Sequence, residues 1–77
     1  MKLSAKTEEP LQIVSVIDDR IDAAVALEFK ETMRQLTEDA PATVILDLSS
    51  VTFIDSSGLG AIVATMKYLA PDRTLVL

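Results

Sequence analysis

Between residues 44 and 69 the hydrophobic pattern changes its period once, and the change falls on Asp55-Ser56-Ser57-Gly58-Leu59-Gly60. Upstream, Val44-Ile45-Leu46-Asp47-Leu48 is a short, nearly continuous apolar run of the kind that forms a strand covered on both faces. Downstream, Leu59, Ile62, Val63, Met66 and Leu69 recur at spacings of three and four, which predicts one apolar face of a helix. The two serines therefore fall at a helix N-terminus. There the first backbone N–H groups have no intrahelical partner, and the macrodipole presents about half a positive charge. Such a position accommodates a phosphoryl group.

The rest of the chain organises around this junction. Leu3, Ala5 and Thr7 alternate with polar residues, and alternation resumes with Leu11, Ile13, Ser15 and Ile17 after Glu8-Glu9-Pro10, which predicts an antiparallel hairpin at a sheet edge. Asp22 is placed to cap a following helix by accepting from the N–H of Ala24 or Val25. Ala26, Phe29, Met33 and Leu36 give that helix, of about four turns, its apolar face, and Pro41 ends it. A third strand over Thr43–Leu48 and a fourth over Arg73–Leu77 flank the second helix, which Pro71-Asp72 terminates. Two strand–helix–strand units in succession predict an α/β domain with a mixed, largely parallel sheet, the N-terminal hairpin, and helices packed on the sheet. Residues 1–77 make one domain.

Composition excludes several functions. The formal charge of −5 and the lack of any Lys/Arg cluster argue against a nucleic-acid binder, and three aromatics provide no stacking platform. No stretch approaches the roughly 20 apolar residues of a membrane span, and Met1-Lys2-Leu3-Ser4 does not open a secretory signal, so the expected location is the cytoplasm. With no histidine and no cysteine, Ser-His-Asp and Cys-His catalysis and ordinary zinc sites are out of reach. The serine junction lacks both the glycine of a nucleophile elbow and the lysine of a phosphate-gripping loop. The chain reads as no enzyme, with no cofactor and no metal.

The junction residues each carry a structural reading. A serine pair at a helix start is most often a cap. One cap is enough, however, so if Ser57 or Asp55 serves, Ser56 is left free to point outward. Gly58 and Gly60 each cost a helix roughly 0.5–1 kcal/mol relative to alanine. Close crossing of strand and helix backbones, or access for a partner to the serine, would account for them. Asp55 either caps the helix or belongs to a docking surface, Asp47 stabilises a loop, and Met33 and Met66 fill the core.

Taken together, Val44-Ile-Leu-Asp-Leu-Ser-Ser-Val-Thr-Phe-Ile-Asp-Ser-Ser-Gly-Leu-Gly-Ala-Ile-Val resembles the central signature of the STAS domain as found in bacterial anti-sigma-factor antagonists. Ile21-Asp22 with Ala23, Ala24 and Phe29-Lys30 resembles the family's Leu-Asp turn and first helix, although Asp19 stands where the family usually has glycine. The family's later strand and helices have no counterpart, so about the last third of a usual domain is missing. The resemblance implies that Ser56 is the phosphoacceptor of a serine-kinase anti-sigma factor. It also implies that Asp22, Asp55, Ser56, Ser57, Gly58 and Leu59 form the partner-binding surface, and that a phosphatase reverses the modification. An alternative within the same architecture is a regulatory small-ligand or anion-sensing module of a transporter, lipid-transport or signalling complex. A third is an assembly unit of a larger signalling particle. The apolar Thr74-Leu75-Val76-Leu77 leads to the expectation of a fragment, a short protein, or a strand that another chain covers, including a homodimer.

Overall fold

Alternating residues at the N-terminus form two paired strands, β1 (Leu3–Glu8) and β2 (Leu11–Val16), antiparallel with Leu3 opposite Val16. The computed structural model describes all 77 residues. After β2 follow a short strand β3 (Arg20–Ile21), helix α1 (Ala26–Leu36), β4 (Thr43–Asp47), a second short strand β5 (Phe53–Ile54), helix α2 (Ser56–Leu69) and β6 (Thr74–Val76). The main sheet has the order β1-β2-β4-β6, with β2, β4 and β6 mutually parallel. This is the mixed, largely parallel α/β arrangement that the sequence pattern predicts.

A separate two-stranded sheet, which the periodicity does not reveal, pairs β3 with β5 in parallel, Arg20 opposite Phe53 and Ile21 opposite Ile54. Two residues per strand are too few to show a period.

Paired residues share a face, so the registers define which side of the sheet is covered. Gln12, Val14 and Val16 of β2, Val44 and Leu46 of β4 and Leu75 of β6 are all buried on one face. All but the polar Gln12 form a single core with Ile21 of β3, Phe29 and Met33 of α1 and Ala61, Ile62 and Leu69 of α2. The opposite face carries Leu11, Ile13, Ser15, Thr43, Ile45, Asp47, Thr74 and Val76, none of them buried. The run Val44–Leu48 is therefore covered on one face only, contrary to the two-sided burial that its apolar continuity suggests. Ile45 points to the uncovered side, and Asp47 is the polar residue that marks that side.

Helix α1 is shorter than its periodicity implies. Asp22 Oδ1 does accept from the Ala24 N–H at 3.1 Å, but residues 23–25 form a turn, and the regular helix starts only at Ala26, with no side-chain cap at Val25. At the other end Thr37, fully buried, donates its hydroxyl to the Met33 carbonyl at 2.7 Å. Arg73 donates to the Thr37 carbonyl, so the helix closes at Leu36, well before Pro41. Helix α2 ends as predicted: Ala70, before Pro71, is extended with ψ 150°.

Asp47 closes β4 by turning the chain. Its Oδ1 accepts from the Ser49 N–H at 2.9 Å. The Ser49 hydroxyl and N–H, helped by Ser15, hold its carboxyl below the ordinary carboxylate value, while desolvation opposes them. A carboxyl depressed on folding stabilises above its unfolded pKa of about 3.9, and that contribution is lost as pH falls through the lower folded value. The expected outcome is that Asp47→Asn is less stable than wild type at pH 6 and that the gap in melting temperature closes as pH falls to about 3. A gap independent of pH would show that the charge of Asp47 contributes nothing.

Candidate functional site

The serine junction is built by two loops that the small β3/β5 sheet holds side by side. Asp55 leaves β5 in an extended conformation, φ −90° and ψ −177°, and becomes the N-cap of α2. Its Oδ1 accepts from the Gly58 N–H at 2.8 Å. Its Oδ2 accepts from the Ala23 N–H at 3.1 Å, thirty-two residues away in the chain. One carboxylate thus closes the helix start and ties it to the turn that precedes α1. Asp22 sits beside this turn, accepting from Ala24 and lying 3.5 Å from the Arg20 guanidinium.

Capping by Asp55 frees the serines. Ser56 and Ser57, the first two helical residues, are exposed, and neither hydroxyl takes part in a side-chain hydrogen bond. Their backbone N–H groups precede the first intrahelical bond and enter none of the loop or cap bonds. The site offers two free hydroxyls beside two free N–H donors at the positive end of a fourteen-residue helix.

The two glycines separate cleanly. Gly58 is buried against Ile21: a Cβ there would lie 1.9 Å from the Ile21 carbonyl oxygen and 2.8 Å from its carbon. Around Gly60 a Cβ would meet nothing within 4 Å. Close backbone crossing therefore accounts for Gly58 and not for Gly60.

This crossing also corrects the expected face of α2. The buried residues are Gly58, Ala61, Ile62, Thr65 and Leu69, whereas Leu59 is 54% and Val63 40% exposed. Two stripes at helical spacing compete here, and the one with small residues wins because it lets α2 approach β3. Leu59 and Val63 are left outside, with Phe53 (53%) and Ile54 (36%) of β5. Phe53, Ile54 and Val63 are surface residues that sequence reasoning missed; the line of small residues at 58, 61 and 65 was the available signal. Of the residues expected to meet a partner, Asp22, Asp55, Ser56, Ser57 and Leu59 gather at this end of the molecule, and Gly58 lies beneath them, buried. No group of three or more acidic residues is placed to hold a metal ion.

Comparison with known proteins places this geometry. The family model described as STAS domain matches residues 3–77. An anti-sigma factor antagonist from Mycobacterium paratuberculosis superposes with a TM-score of 0.81 at 26% identity, over 96% of this chain and 62% of that one. SpoIIAA in its unphosphorylated form gives 0.71 at 14% identity, over 99% of this chain and 67% of that one. The Bacillus cell fate determinant SpoIIAA in its phosphorylated form gives 0.67 at 15%, over 99% and 69%. At 14% and 15% the likeness to SpoIIAA is one of fold. The chain spans less than two thirds of the mycobacterial antagonist.

Opposite outcomes are expected for the two glycines. Gly58→Ala should destabilise the chain by about 1–3 kcal/mol through overpacking against backbone that cannot swing aside. Gly60→Ala should stabilise it by about 0.5–1 kcal/mol through helix propensity. Urea denaturation measures both, and equal effects would refute the close-crossing account. Asp55→Ala should cost about 1–2 kcal/mol, since it removes the cap and the partner of Ala23 together.

Proposed function

We propose, because this chain belongs to the STAS domain family, that it acts as an anti-sigma-factor antagonist whose binding to a serine-kinase anti-sigma factor is governed by phosphorylation of Ser56. The observation that carries this reading is the exposed Ser56 hydroxyl, unengaged because Asp55 does the capping. The likeness to a mycobacterial anti-sigma factor antagonist supports it. So does the likeness of fold to SpoIIAA, a protein known in unphosphorylated and phosphorylated forms.

The docking surface consists of Ser56, Ser57 and Leu59, with Asp22 and Asp55 at its edge and the apolar side chains of Phe53, Ile54 and Val63 around it. Burying the exposed half of each of these apolar side chains contributes on the order of 1 kcal/mol. The serines themselves are neutral, so a close contact costs little desolvation. Phosphorylation changes this by adding about −1.5 to −2 charges beside Asp55 and Asp22. Repulsion, desolvation and bulk of roughly 3 kcal/mol lower affinity about a hundredfold. The free N–H groups of Ser56 and Ser57 moderate the cost of the phosphate to the unbound protein. No refolding is needed. The kinase supplies ATP and magnesium, a phosphatase resets the switch, and this chain contributes no catalysis.

One observation favours a second reading. Two unpartnered N–H groups at a helix start also suit a regulatory module that senses an anion or nucleotide directly.

Incubation with the cognate kinase and ATP is expected to raise the intact mass by one phosphate. Ser56→Ala should abolish the shift and Ser57→Ala preserve it. In a binding assay Ser56→Ala should retain the kinase, and Ser56→Asp should weaken capture about a hundredfold; equal binding by both sinks the electrostatic switch. An unmodified wild type that nucleotide stabilises thermally would favour the sensing module.

A further inference from the structure

Along the outer side of the two helices runs a groove of about 290 Å³, between Leu27, Lys30, Glu31 and Arg34 of α1 and Ala64 and Tyr68 of α2. Its chemistry differs from that of the serine junction. Leu27 is 65% and Tyr68 48% exposed, which gives the groove an apolar lip on each helix.

Its cations are unspent. The ion pairs of the structure are Met1 N-terminus–Glu28, Lys6–Glu8 and Arg20–Asp22, so Lys30 and Arg34 have no carboxylate partner, and Glu31 on the same rim pairs with neither. Lys30 and Arg34 are also four apart on one helix, a like-charge spacing that disfavours the free helix. The Arg34 guanidinium stands over the Tyr68 ring, 5.9 Å from its centroid, which holds one cation in place beside an apolar wall. Beyond that cation–π contact, no ion pair within the chain uses either cation. An anionic occupant would relieve the repulsion and cover the apolar lips.

Net charge does not forbid this. At physiological ionic strength charges beyond about 8 Å are largely screened, so the charged side chains that line the groove, Lys30 and Arg34 against Glu31, weigh more there than the chain's −5.

We infer that the α1/α2 groove docks an acidic segment of a partner protein, one presenting a large apolar side chain flanked by carboxylates. The apolar side chain seats against Leu27, Ala64 and Tyr68, and the carboxylates meet Lys30 and Arg34. On α2 the groove residues lie eight to twelve positions beyond Ser56, which at about 1.5 Å per residue is roughly 12–18 Å along the helix. Docking here is therefore compatible with a second contact at the serines and is insensitive to their phosphorylation.

The test titrates the isotope-labelled chain with the synthetic peptide DEFLED and follows backbone amide shifts by NMR. Shifts are expected at residues 27–34 and 64–68, with binding at least tenfold weaker for the amide counterpart NQFLQN and for Lys30→Glu/Arg34→Glu. The exposed position of both cations lets that variant fold; should circular dichroism show otherwise, Lys30→Gln/Arg34→Gln replaces it. Ser56→Asp should bind DEFLED as wild type does, so failure of the serine switch and failure of the groove are read separately. No shifts in the groove at millimolar peptide, or equal binding of NQFLQN, would overturn the inference. So would co-sedimentation with 3:1 phosphatidylcholine/phosphatidylglycerol vesicles that the charge-reversed variant loses, which would assign the cations to a lipid surface.

Discussion

The absent side chain at Gly58 is the constraint on which the serine junction depends. Because no Cβ stands between α2 and the Ile21 carbonyl, helix and strand touch through their backbones. That approach selects the small-residue stripe of α2 as the buried one and turns Leu59 and Val63 outward. It also brings the start of α2 within reach of the turn before α1, so that Asp55 bonds Gly58 and Ala23 with its two oxygens. The tie to Ala23 and the apolar rim both accompany this one close approach.

Much of this was legible locally and little of it was legible at a distance. The strand–serine–helix succession, the N-terminal hairpin and the parallel sheet follow from alternation and from spacings of three and four, patterns that span a few residues. Which stripe of α2 turns inward does not, because Leu59-Ile62-Val63-Met66-Leu69 and Gly58-Ala61-Ile62-Thr65-Leu69 both satisfy the helical period, and only contact with β3 decides between them. The β3/β5 pairing and the bond from Ala23 to Asp55 join segments more than thirty residues apart, and no window along the chain records them. The start of α1 departs from its local signal for a related reason. Asp22 has the chemistry of an N-cap and bonds Ala24 accordingly, but its loop is held by the neighbouring junction, and the regular helix waits until Ala26.

The main sheet shows a similar division. Val44-Ile45-Leu46 is apolar throughout, yet Val44 and Leu46 are buried while Ile45 is not. A continuous run reports that the strand is central, between β2 and β6, more reliably than that both of its faces are covered. Helices and core lie on one side of the main sheet, while the junction follows β5 of the separate two-stranded sheet. Beside that core Gln12 donates to the Leu36 carbonyl at 2.8 Å and anchors the last turn of α1, while its own Oε1 stays buried without a partner.

The bond between Asp55 and Ala23 also has a kinetic meaning. Closing a loop of about thirty residues costs on the order of 3 kcal/mol in chain entropy before any contact repays it. Hairpin and helices, being local, form ahead of such a closure. The surface around the serines thus depends on a closure between distant segments that hairpin and helices alone do not supply.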